Sequence, residues 1–156
     1  MDVVTLDARA AENGLGMMLQ GLLAENLAVN RGKRRAFSAM SSTFGVVAPD
    51  ADVTVTLAFG GGHCTIYDGL RDEPDAVITA DSGRIPELTQ LSTRYGIPWL
   101  LDTHGKSFVR ALMQGEIRVD GLLRLPVSPL GALRSAKAAL DLVRLTRILS
   151  VNARTA

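Results

Sequence analysis

The chain has one cysteine, two histidines and few aromatic residues, and each scarcity removes a class of chemistry. Cys64 stands alone among 156 residues, which excludes an internal disulfide and a cysteine-based zinc site. It falls in mid-strand beside Ile66 and reads as a buried structural thiol. His63 and His104 lie far apart, without the spacing that a metal site needs. Charge of one sign is lacking too: 17 basic residues face 16 acidic ones, a net charge of +1, so nothing draws the chain as a whole to nucleic acid. No apolar run approaches the ~18 uncharged residues that span a bilayer. The start, MDVVTLDARAAE, has no basic region followed by an apolar core, so no secretory signal is legible. A soluble cytoplasmic protein is the expectation.

Catalytic patterns are missing as well. Gly60-Gly61-Gly62 is followed by a strand, and neither G-x-x-x-x-G-K-[ST] nor G-x-G-x-x-G precedes a helix, so it reads as a hairpin turn. Ser38, Ser41 and Ser42 have no nucleophile-elbow setting. His104 with Asp102 or Asp81 is the one pair suited to acid/base work. Yet Asp102-Thr-His-Gly105 reads equally as a polar loop before a helix. The expectation is no enzyme, no cofactor and no metal.

What is present is aliphatic. Apolar residues make up 47% of the chain and aromatics 4%, so the interior is Leu, Val, Ile and Ala. A length of 156 residues fits one domain over 1–156, with flexible ends at 1–6 and 151–156. From about Asp7 to Ala28 the spacing of Leu15, Met18, Leu19, Leu22, Leu23 and Leu27 predicts a helix with one apolar stripe. Gly14, Gly16 and Gly21 weaken it and point to close packing or a break near Gly14. The helix stops near Asn30, and the basic cluster Arg31, Lys33, Arg34, Arg35 reads as a solvated turn or as a patch for acidic headgroups. Ala36 to Ala48 reads as a strand with poor alternation.

The clearest pattern follows. Val53, Val55, Leu57 and Phe59 alternate with Thr54, Thr56 and Ala58, the glycines turn the chain, and His63 to Asp68 returns. Asp75 to Asp81 is a further strand, with a capped helix through Ile85, Leu88 and Leu91 after it. Tyr95 to Asp102 is apolar and irregular and holds Trp99, which reads as exposed for a partner or, by preference, as the roof of a cavity. Lys106 to Gln114 predicts a helix turning Phe108, Leu112 and Met113 inward, and Glu116 to Asp120 a last strand. A long helix from about Pro129 to Leu149 sets Arg134, Lys137, Arg144 and Arg147 in an arc of roughly 140°. It suits a core lid whose cations reach outward, a homodimer or partner-protein interface, or a surface for transient membrane contact.

The order is helix, three strands in meander, helices, strand, long helix, which describes an α+β domain of two layers. Four stretches resemble the sterol carrier protein 2 family: Val53-Thr-Val-Thr-Leu-Ala-Phe59, Gly62 to Gly69, Asp75-Ala-Val-Ile-Thr-Ala-Asp81, and Ala111-Leu-Met-Gln-Gly-Glu-Ile-Arg-Val-Asp-Gly121. The resemblance runs from about Leu15 to Leu149. It implies a sheet of about five strands, mostly antiparallel, covered by helices over an apolar tunnel. It also implies non-catalytic binding of a fatty acyl chain, a sterol or an isoprenoid-like lipid. The chain departs from the family in a longer connection, Tyr95 to His104, which bears on the tunnel's shape and entrance. The residues alone leave a solid core and a cavity both open. The resemblance favours the cavity, walled by Phe59, Ile66, Trp99, Leu101, Phe108, Leu112 and Met113. An interaction module using the C-terminal helix and the Trp99 loop is the alternative.

Overall fold

The computed structural model describes residues 3–71, 73–83, 114–121 and 131–149, and the backbone alone of 93–94, 97–98 and 129–130. Asn13 begins the first helix, α1 (Gly14–Val29). Its side-chain oxygen accepts from the Leu15 and Gly16 amides at 3.0 and 3.3 Å, closing the open first turn. Leu19, Leu23 and Leu27 from the predicted stripe are buried, with Leu15 and Met18 packed beside them. Among the three glycines, Gly16 is the one that needs its missing side chain: a Cβ there would sit 2.8 Å from the Ala10 carbonyl oxygen. Asn30 ends α1 and caps α2 (Arg31–Ser38), accepting from the Lys33 amide.

α2 is a correction to the sequence reading, which placed a turn at Arg31–Arg35 and a strand from Ala36. The segment is helical because it buries Lys33 and Phe37, one turn apart, while Arg31, Arg34 and Arg35 stay exposed. The strand begins later, as β2 (Thr43–Ala48). β3 (Val53–Gly60) and β4 (His63–Asp68) form the expected hairpin. Gly61 and Gly62 lie at φ +57° and +80°, the left-handed pair that a tight hairpin turn requires.

β1 (Val4–Leu6), β5 (Ala76–Ala80) and β8 (Ile117–Asp120) complete one six-stranded mixed sheet in the order β1-β4-β3-β2-β5-β8. β1 runs parallel to β4 and β5 parallel to β2; the other neighbours are antiparallel. The architecture is the α+β class expected, with two differences. The sheet has six strands, because Val4–Leu6, read as a loose end, pairs with Cys64–Ile66 and buries Val4. The strand after the hairpin does not continue the meander but crosses over to β2. Inside the Tyr95–His104 connection and just before it, β6 (Thr93–Arg94) and β7 (Ile97–Pro98) pair as a small separate ribbon. α3 (Pro129–Leu149) has the predicted bounds and packs against α1, α2 and β7.

Candidate functional site

Register decides which side chains share a face. Across the strands, Leu6 pairs with Ile66, Ile66 with Leu57, Leu57 with Phe44, and Phe44 with Ala76. One row along, Val55 pairs with Val46, Val46 with Ile78, and Ile78 with Val119. Partners in register project to the same side, so one face is aliphatic and aromatic from the first strand to the last, except where Asp68, the partner of Val55, stands at the end of β4. The other face carries Thr5, Thr65, Ala58, Thr43, Thr54 and Thr79 at the alternate positions.

α1 lies over β1, β3 and β4 and sets Leu19, Leu23 and Leu27 into the apolar face. α2 contributes Phe37. Its ring meets Phe59 edge-on with centroids 5.7 Å apart, and Phe59 meets Phe44 at 6.1 Å. Such edge-to-face geometry adds directional packing to area burial. Both expected wall residues on described strands, Phe59 and Ile66, are therefore on this face and in its core, Phe59 beside α2 and Ile66 fully buried. Trp99, Leu101, Phe108, Leu112 and Met113 lie outside the described residues, as do Asp102 and His104. Phe37, Phe44 and Met40 belong to the same face and were not anticipated. Phe37 and Met40 were hidden by reading their segment as a strand.

Among the described residues, candidate chemistry does not gather on this face. Burial pushes the Cys64 thiol well above its ordinary range, so it stays protonated and inert. His63 is exposed at the hairpin end and Asp81 is exposed past β5. No group of three His, Cys, Asp or Glu side chains able to hold a metal occurs among the described residues. No described helix is long and apolar enough to cross a membrane.

The buried charges lie instead where α3 meets the segment before β2. Asp141 is fully buried, and its carboxylate accepts from the Ser42 hydroxyl at 2.8 Å, the Ser41 amide at 3.1 Å and Arg144 at 2.7 Å. Burial alone would raise its pKa, but these donors outweigh burial and hold it below the usual carboxylate value. Arg144 also donates to the Ala39 carbonyl and Lys137 to the Ser41 carbonyl. Nearer the start of α3, Arg134 donates to Asp75 at 2.6 Å, and Asp75 in turn accepts from the Thr43 amide at 2.8 Å. The cations read as a solvent-facing arc are thus in part the helix's attachment. Ser42 donates its hydroxyl to Asp141 and is a structural partner of that carboxylate.

No family model and no curated protein sequence matches the chain. Solved structures do. The sterol carrier protein domain 2 of Helicoverpa armigera is 12% identical, with 91% of this chain and 92% of that one covered and a TM-score of 0.53. A sterol carrier protein 2 is 21% identical over 83% and 94% of the two chains at a TM-score of 0.42. A UbiJ-SCP2 ubiquinone synthesis protein is 14% identical over 81% and 96% at 0.48. At such identities the likeness is one of fold, and it rests on the Helicoverpa domain. The fold is the sterol carrier protein 2 fold, as the four sequence stretches implied.

Proposed function

We propose that this chain is a non-catalytic carrier of an apolar small molecule, held between the apolar sheet face and its helical cover. The observation that carries this is the face itself: among the described strand residues it is aliphatic and aromatic, and its titrating groups are the inert Cys64 thiol and, at the exposed end of β4, Asp68, which accepts from the Asn13 side chain. A face built this way binds by removing apolar surface from water, at about 25 cal/mol per Å². The likeness to a domain named as a sterol carrier supports the same reading. The occupant is a fatty acyl chain, a sterol or an isoprenoid-like lipid. Phe59 and Ile66 are proposed as the sheet-side wall, and Trp99, Leu101, Phe108, Leu112 and Met113, which lie outside the described residues, as the rest of the binding wall.

Native mass spectrometry of freshly purified protein, followed by solvent extraction, tests this. The expected result is a co-purified lipid released by the solvent. Trp99 fluorescence should change when fatty acids or sterols are added to the stripped protein, and Leu112→Asp should weaken that uptake in a domain that still folds. An apo mass together with unresponsive Trp99 fluorescence overturns the proposal.

A further inference from the structure

α1 is a helix with almost no charge: among its 16 residues Glu25 is the one ionisable side chain. A helix that is apolar all round is ordinarily covered on more than one side. The sheet covers the side of Leu19, Leu23 and Leu27. On the opposite side Gly14, Met17, Gly21, Ala24 and Ala28 are exposed, Met17 by 51%, and Val29 follows them at 81%. Glycine weakens a helix and is kept where another backbone must come close. The Ala10 carbonyl accounts for Gly16, but a Cβ on Gly14 or Gly21 would meet nothing within 4 Å among the described residues. Gly21, in mid-helix on an open apolar side, therefore calls for a close neighbour that the described fold does not supply.

Spacing and charge say what that neighbour is. The five outward positions recur at i, i+3, i+7, i+10 and i+14, the seven-residue alternation of a helix packed on a helix. A helix lying on lipid presents bulky Trp, Phe or Leu, and Met17 is the one large side chain of this seam. The two ends of α1 differ in sign. At its start stand Glu12, exposed, and Asp68, whose carboxylate accepts from the Asn13 side chain at 2.8 Å. Asp7 is there too, opposed by Arg71 at 3.8 Å, and Arg9 is the second cation. Past its end stand Arg31, Arg34 and Arg35, all exposed. An antiparallel copy of the same helix sets each end against its opposite, and opposes the helix dipoles as well. A parallel copy would set like against like.

We infer that α1 pairs antiparallel with α1 of a second copy, through the side that faces away from the sheet. In the register that places Met17 against Ala28 of the second copy, Gly21 meets Ala24 and Arg31 falls beside Glu12. Each seam contact then joins a larger residue to a smaller one, and two-fold symmetry makes each contact twice. The pairing does not rest on the carrier reading, whose ligand lies on the other side of the helix.

Sedimentation velocity of the full chain, stripped of lipid and run from about 1 to about 300 µM, tests it. One helix pair buries less than the roughly 1,600 Å² of a standard interface, so association should be weak, with a midpoint of about 10–100 µM. The mass should rise with concentration from the 16.6 kDa of one chain towards twice that value. Gly21→Arg places a long side chain in the seam, in open space within one copy and with a better helix former. It should leave circular dichroism unchanged and weaken association at least about a hundredfold. Arg31→Glu and Glu12→Arg should each weaken it about tenfold, and the double variant should recover it. A wild type that stays monomeric throughout overturns the inference, and so does a dimer that Gly21→Arg leaves intact. Failure of the double variant to recover overturns the antiparallel pairing. A monomer that co-sediments with phosphatidylcholine vesicles through this seam, losing them in Gly21→Arg, would give the face to lipid and overturn the inference as well. No extracted ligand is measured, so any of these leaves the carrier proposal to its own test.

Discussion

α1 and α3 cover the same sheet but are held to it by different physics. α1 is seated by Leu19, Leu23 and Leu27 among apolar side chains, a non-directional attachment that scales with buried area. α3 also buries Ala138, Leu145 and Ile148, but it carries leucines on its outer side as well. Apolar burial alone therefore does not select which side of α3 faces inward. Asp141 does: its carboxylate finds the Ser41 amide and the Ser42 hydroxyl in one rotation of the helix only. A buried charge adds little net stability but makes the wrong arrangement costly. The area sets how firmly each helix sits, and the carboxylate sets where α3 sits.

The largest effect should come from breaking the directional attachment. Asp141→Ala leaves the Ser41 amide and the buried Ser42 hydroxyl without their acceptor and takes the carboxylate from Arg144, and should cost about 3–5 kcal/mol in urea unfolding. A loss under about 1 kcal/mol would mean that α3 is seated by area like α1. Leu23→Ala, the matching cut on α1, should cost about 3 kcal/mol through lost transfer energy and a cavity. The two variants should differ in kind. Leu23→Met should recover most of the α1 loss, since volume is what that site requires. Asp141→Leu should not recover the α3 loss, since the orphaned donors remain.

Acid sharpens the same contrast. The Asp141 carboxyl is held below its ordinary value in the fold, so the unfolded chain takes up the proton first. Its contribution is whole above the ordinary Asp value of about 3.9 and is lost as pH falls through the lower folded value. The stability gap between the wild type and Asp141→Asn should be flat from neutral pH to about 4 and close below it. The gap between the wild type and Leu23→Ala should not close. Thermal melts of the three proteins down the pH scale read both, and a gap for Asp141→Asn that persists in acid would assign its role to shape rather than charge.

Much of this was legible along the chain, and the failures share a cause. The β3–β4 hairpin was readable because alternation and the paired glycines agree on one local answer. α3 was readable because Pro129 starts it and its leucines recur over five turns. Phe59 and Ile66 fell on the apolar face as expected, since a clean period of two settles which way each points. α2 was missed because one of its two buried positions is Lys33, so its inward side gives no apolar signal. Lys33 is tolerated there because it donates to the Asn26 side chain of α1, although burial, and then Arg147, lower its pKa. β1 was missed because three residues carry no period, and the β2–β5 pairing because it joins segments about thirty residues apart. Asp141 drew no notice among the leucines and arginines of α3, since its partners lie about a hundred residues away. Local pattern carries local structure; nonlocal pairing and buried polar contacts need the fold.

The smallest effect tests whether the second contact of α3 shares the character of the first. Arg134 and Asp75 meet at 2.6 Å, but the Arg134 side chain is 62% exposed and that of Asp75 only 14%. The exposure divides the pair's work unevenly. Asp75 also accepts from the Thr43 amide, so Asp75→Ala strips a backbone donor at the start of β2 and should cost about 1–2 kcal/mol. Arg134→Ala removes only a screened partner, and water replaces it at the surface. Its effect should be the least of the set, visible as a small fall in the urea midpoint at low salt and gone at about 0.5 M. If Arg134→Ala matched Asp75→Ala and kept its effect in salt, the pair would be a second directional clasp, and α3 would be pinned at two points. If Arg134→Ala is neutral, the Asp141 carboxylate sets the helix without help from its first turns.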